Sequence, residues 1–139
     1  MTTRASSDTE GLLRELMEQR VLLLDGSMGA LIFQKKLPES AIRGERFKDH
    51  PADLSKATDL LVLTQPAMIQ EIHAAYLDAG SDIIETNTFN ASPIGMAETK
   101  LADIAYEMSK AGAEVARAAV EACLKRDPSK PRFVAGSIG

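Results

Sequence analysis

Asp25 is followed by Gly26, Ser27, Met28 and Gly29, and the four residues before it, Val21 to Leu24, are all apolar. A short apolar run that ends at a glycine turn predicts a strand buried on both faces. Asp25 then stands at the strand's carboxyl end, where α/β folds build their sites. A carboxylate there can accept from an ammonium group. The backbone N–H groups of Ser27 to Ala30, at the start of a helix, can hold a carboxylate. Together they suit an amino acid, which carries both charges. The same residues also read as a plain turn, with Asp25 as a helix cap and two glycines making the bend. The spacing is neither GxGxxG nor GxxxxGK[ST], so dinucleotide and phosphate-loop chemistry are not supported.

A second candidate group is Glu85, Thr86 and Asn87, three hydrogen-bonding residues directly after Ile83-Ile84. Glu85 could bind an ammonium group or act as a base; the alternative is a surface loop with local caps. Cys123 is the single thiol, late in an Ala-rich segment, where a cysteine reads as a small packed residue. Zinc needs three or four ligands, and no His/Cys cluster is present. His73 reads as a packing or surface residue, and His50, before Pro51, as solvated. The run Arg43, Glu45, Arg46, Lys48, Asp49 reads as a solvated loop from which Arg43 or Arg46 could reach a partner domain. No residue is assigned as catalytic or as a metal ligand.

The elements that must position these groups can be read in order. Residues 1–7 are expected to be disordered. Asp8 to Arg20 predicts a helix with Leu12, Leu13, Leu16 and Met17 on one face, capped by Ser7 or Asp8. Strand Val21–Leu24 follows, then a short helix through Met28, Leu31 and Ile32 that fades by Lys36, before Pro38. Leu37 to Thr64 is long and irregular, with Leu60 to Leu63 as its one apolar run; such loops are functional or disordered. Pro66 opens a helix whose apolar face is Met68, Ile69, Ile72, Ala75, Tyr76 and Ala79, and Gly80 stops it. Asp82 to Asn87 is the second strand, and Phe89 to Met96 a loop or single turn. Leu101 to Arg126 is the longest helix, with Leu101, Ile104, Ala105, Met108, Ala111, Val115, Ala118 and Ala122 at the helical period. Arg132 to Ala135 is the third strand, ending in Gly136-Ser137. Strands alternating with helices predict a parallel sheet, with the polar strand ends gathered on one edge.

The chain has 139 residues, 45% of them apolar and 26% charged, which suits one soluble domain. Aromatics are only 4%, so aliphatic and alanine packing carries the core. A net charge of −4 gives no reason to expect nucleic acid or an anionic membrane as partner. One cysteine excludes an internal disulfide and fits a reducing, cytoplasmic setting. No apolar run long enough to span a bilayer is present.

LLLDGSMGALI, DLLVLTQPAMIQEIHAAYLDAGSDIIETNTFNAS and FVAGSIG together resemble the homocysteine S-methyltransferase family, and within it the N-terminal part of cobalamin-dependent methionine synthases. The resemblance covers about Val21 to Gly139, leaving 1–20 as an N-terminal tail and helix. It implies a (β/α)₈ barrel that binds homocysteine at its strand ends. It also implies a zinc ion held by three cysteines, and a methyl group passed to the thiolate from methylcobalamin, itself charged from 5-methyltetrahydrofolate. By resemblance, Asp25, Gly26, Ser27, Met28 and Gly29 hold the amino acid end of homocysteine, and Glu85, Thr86 and Asn87 line the same mouth. The family's zinc cysteines lie in later strands, and Cys123 matches none of them. Lys56-Ala57-Thr58 stands where a Gly-Asn-Asn run often precedes the DLL segment, and Ala30 stands where Thr is frequent.

A barrel needs roughly 250 residues and eight strands. Residues 21–139 are therefore expected to form the first three βα units, with an open sheet edge. That edge invites a second copy, or another chain carrying the remaining strands and the cobalamin and folate domains. The isolated chain is expected to be inactive. The alternative reading is a non-catalytic amino-acid-binding or protein-partner module completed by another chain.

Overall fold

The computed structural model describes residues 4–139, with side chains from Asp8 onward. The elements are α1 (Arg4–Gln19), α2 (Met28–Gln34), α3 (Glu39–Arg43), a 3₁₀ turn (Thr58–Leu60), α4 (Leu61–Thr64), α5 (Pro66–Ala79), β1 (Ile83–Glu85), a second 3₁₀ turn (Ala102–Ile104), α6 (Ala105–Arg126) and β2 (Phe133–Ala135).

The parallel sheet is smaller than expected. β1 and β2 pair in the register Ile83–Phe133, Ile84–Val134 and Glu85–Ala135. The expected first strand, Val21–Leu24, contributes one parallel bridge, Leu24 to Ile83. Backbone hydrogen bonds along this edge run from Ile83 N to Leu23 O (3.1 Å), from Asp82 N, just before β1, to Leu23 O (2.8 Å), and from Asp25 N, just past the segment, to Ile83 O (2.9 Å). Three βα units are therefore corrected to a two-stranded parallel sheet with one bridged segment beside it. An apolar run forms a buried strand only where both faces are covered, and Val21, Leu23 and Leu24 are more than half exposed. The order Leu24, β1, β2 still places Asp25, Glu85 to Asn87 and Ser137 at one end of the sheet.

α5 forms as its sequence dictates. Proline occupies its first turn and Gly80 closes it at φ 112°, in the left-handed region, where a glycine carries no Cβ penalty. Its buried residues are Ile69, Ile72, His73 and Leu77, while Ala75 and Ala79 face solvent. α6 keeps the expected face at Ala105 and Met108, then departs from it: Gly112, Ala116, Ala119, Val120 and Cys123 are buried, and Ala122 is exposed. Small residues win that stripe because α6 packs closely on its neighbours. Cys123 is a packed core residue, as expected.

α1 starts ahead of the expected Ser7 or Asp8 cap. Of the segment expected to be disordered, 4–7 are helical and 1–3 lie outside the described residues. Neither apolar cluster includes a residue of α1. Its intended core face carries Leu12 and Met17, both exposed.

The stretch from Leu37 to Thr64 is folded rather than irregular. Leu54, Leu60 and Leu61 are fully buried in the larger core cluster with Ile32, Ile42 and Ile69. Arg43 organises the turn: its guanidinium donates to Glu39 Oε1 (2.6 Å) and to the carbonyls of Phe47 (3.2 Å), His50 (2.7 Å) and Ala52 (2.7 Å). Glu39 Oε1 in turn accepts from Leu54 N at 2.9 Å. The charge run is thus not a plain solvated loop. Arg46 pairs with Glu107 of α6 at 2.6 Å, and the His50 ring meets Thr99 O at 2.6 Å. Both reach across the same chain.

Candidate functional site

All eight residues singled out at the strand ends line one cleft of about 280 Å³: Asp25, Gly26, Ser27, Met28, Gly29, Glu85, Thr86 and Asn87. The parallel pairing explains the convergence, because strand ends in register bring their following residues to one edge.

The Asp25 carboxylate crosses from the Leu24 segment to β1 and accepts from Glu85 N at 3.1 Å. Burial raises its pKa and the Glu85 charge adds to that, while the amide bond opposes it. Gly26 lies under Tyr76 of α5: a Cβ there would sit 3.1 Å from the Tyr76 hydroxyl oxygen. That hydroxyl donates to Ser27 O at 3.2 Å, so close approach holds the loop in place. Ser27 caps α2, its Oγ accepting from Ala30 N at 3.1 Å. This corrects one part of the sequence reading, in which the Ala30 N–H was among those offered to a ligand. Asp25 is not the cap of α2.

On the β1 side, Glu85 is exposed while Thr86 and Asn87 are buried. The Thr86 hydroxyl meets that of Thr88 at 2.6 Å, and Thr88 Oγ1 donates to Ser137 O at 2.9 Å. Ser137 N donates back to Thr86 Oγ1 at 3.0 Å. Three strand-end residues from β1 and β2 thus form one closed hydrogen-bonded group. Asn87 Nδ2 donates to Thr58 O at 2.9 Å, tying the β1 end to the turn before α4.

Five further residues line the cleft: Ser137, which the sequence places at a polar strand end, and Thr58, Asp59, Phe89 and Asn90, which it does not single out. Asp59 is the most telling. It is buried, it accepts from Asn90 N at 2.8 Å, and burial is the main cause that raises its pKa. The available signal was an aspartate set directly against the apolar run Leu60 to Leu63. An irregular loop over Leu37 to Thr64 would leave that aspartate in solvent, and only the folding of the stretch buries it.

The charge balance of the cleft is one-sided. Asp25, Asp59 and Glu85 line it, and no Lys, Arg or His is among its described lining residues. Such a wall favours a cation or the cationic end of a ligand. The described residues do not fit a zinc centre: no three or more of His, Cys, Asp and Glu gather where they could hold a metal ion. Cys123 is packed in the core of α6 with Leu77 and Ile84.

Comparison with known proteins agrees with this architecture. Two solved structures of the homocysteine methyltransferase MmuM from Escherichia coli, a metallated and an oxidized form, superpose with TM-scores of 0.69 and 0.70 at 28% identity. The match covers 91% of this chain, which spans 41% and 40% of the two solved chains. The family model described as homocysteine S-methyltransferase matches residues 22–139, from the bridged segment through β2. With that match running through every element that builds the cleft, the chain belongs to the homocysteine S-methyltransferase family.

Proposed function

We propose that these residues form the homocysteine-binding part of a methyltransferase that passes a methyl group to the homocysteine sulfur. The observation that carries this reading is the acidic cleft at the sheet's end, within a chain of this family. Asp25, Glu85 and Asp59 receive the ammonium group. The Gly26 to Gly29 loop lies beside the amino acid's carboxylate. Thr86 and Asn87 act by keeping the β1 end rigid through their bonds to Thr88, Ser137 and Thr58.

In the finer form of the proposal the enzyme is a methionine synthase and the methyl donor is methylcobalamin, recharged from 5-methyltetrahydrofolate. The support is the sequence resemblance of the DGSMG and AGSDIIETNTF stretches. Zinc belongs to the same reading, with ligands supplied by residues other than those described. The single buried cysteine agrees with a reducing cytoplasm. Among the described residues no helix is long and apolar enough to cross a membrane. The module without catalysis is not favoured.

Calorimetry on the full-length protein tests the site. L-Homocysteine is expected to bind at least about tenfold more tightly than 4-mercaptobutyrate, which lacks only the ammonium group, a difference of about 1.4 kcal/mol. Asp25→Asn is expected to erase most of that preference. Equal binding of the two ligands by the unmodified protein would sink the acidic-wall reading.

A further inference from the structure

Beside the acidic cleft lies a larger cavity of about 650 Å³, between α2 and the segment leading to Thr58. It shares Gly29 and Thr58 with the cleft but has the opposite character. Its wall is apolar: Ile32 and Ile42, both buried, with Leu37 and the exposed ring of Phe33. Its charged lining residues are Lys36 and Lys56, and no carboxylate is among them.

Lys48, Lys110 and Lys130 each pair with a carboxylate of the chain. Lys36 and Lys56 form no ion pair with any described residue. Lys56 acts on Asp53 through charge alone, and Asp53 Oδ1 already accepts from Ser55 N at 2.8 Å. Lys36 has φ 49°, in the left-handed region that favours glycine, so its side chain is carried where the backbone works against one.

We infer that this cavity binds a small organic anion with an apolar body. The charged end lies between Lys36 and Lys56, and the body rests on Ile32, Phe33 and Ile42. The volume is that of a small-molecule site. The cationic mouth over an apolar wall selects an amphipathic anion over a neutral ligand or an inorganic one. The inference does not depend on what fills the acidic cleft.

The test is a fluorescence titration of the full-length protein with 8-anilinonaphthalene-1-sulfonate. N-phenyl-1-naphthylamine serves as the uncharged probe and inorganic phosphate as the charge without a body. Lys36→Gln/Lys56→Gln is expected to weaken the sulfonate by about tenfold or more, because charge-assisted contacts are lost, and to leave the uncharged probe unchanged. Phe33→Ala is expected to weaken both probes, and phosphate to displace neither. Phe33 and both lysines are exposed, so the variants keep the fold, which circular dichroism checks. Equal sulfonate affinity in the double-lysine variant and the parent overturns the inference. Displacement of the sulfonate by equimolar phosphate overturns it too.

Discussion

At position 112 there is no room for a methyl group. A Cβ on Gly112 would sit 2.3 Å from Thr88 Cγ2, and Thr88 is the hydroxyl that links Thr86 to Ser137. Gly112→Ala is expected to lower stability by about 1–3 kcal/mol, the usual cost of overpacking, read from the thermal midpoint. Adding Thr88→Ser removes Cγ2, keeps the hydroxyl and should recover most of the loss. A Gly112→Ala protein that melts with the parent would contradict this packing. His73 makes a second case. It is fully buried, both ring nitrogens lack a hydrogen-bond partner, and burial lowers its pKa to about 4. The unfolded chain takes up a proton near pH 6.5, whereas the folded chain does not until about pH 4. Stability tied to His73 is therefore complete above about pH 6.5 and declines as pH falls toward 4, by up to about 3 kcal/mol. His73→Leu is expected to remove that slope from urea midpoints measured between pH 7 and 5, and to leave stability at pH 7 equal or higher, since unpaired buried nitrogens are costly. Neither residue was legible in the sequence. Gly112 ranks low on any apolar scale, and only the approach of a neighbouring threonine makes its smallness necessary.

At the scale of elements, Asp82 fastens the sheet at the end away from the cleft. Its carboxylate accepts from Arg20 Nη1 (2.9 Å) and Nη2 (2.7 Å), and from Leu23 N (2.8 Å). Lys130, just before β2, lies 3.3 Å from Oδ1. One buried side chain thus joins the end of α1, the bridged segment, β1 and the approach to β2. Arg20 chiefly, with Leu23 N and Lys130 helping against burial, holds its pKa well below the usual carboxylate range. Asp82→Asn is expected to cost about 2–4 kcal/mol at pH 7, because it leaves cations beside a buried site without their counter-charge. The sign with pH follows from the lowered pKa. The contribution is complete above the unfolded value of about 3.9 and fades as pH falls below it. Urea midpoints of parent and variant should therefore converge in acid; a gap that stays constant to pH 2 would contradict the ion-pair account. The apolar runs and the Pro and Gly marks of α5 were readable because they act through local backbone preference. The Arg43 turn was not, since its hydrogen bonds join residues that a charge count treats as separate solvated groups.

At the scale of the molecule, the bridged segment leaves Val21, Leu23 and Leu24 exposed, and Ile138 beyond β2 is exposed as well. Apolar surface on both sides of a two-stranded sheet is a template for further pairing. These 139 residues expressed alone are therefore expected to self-associate in size-exclusion chromatography.

The sequence by itself determined the family, the two long helices α5 and α6 with the strand that follows each, and the eight residues that meet at the cleft. Apolar runs ending in polar residues mark strand ends, and parallel strands must place those ends together. Only the tertiary structure decided how far Val21–Leu24 pairs, which face α6 buries, that Asp59 closes the cleft, and that Ser27 spends its hydroxyl on Ala30 N rather than on a ligand. Each of those depends on a neighbour distant in sequence. Burial and hydrogen-bond partnership belong to pairs of segments, and no local pattern carries them.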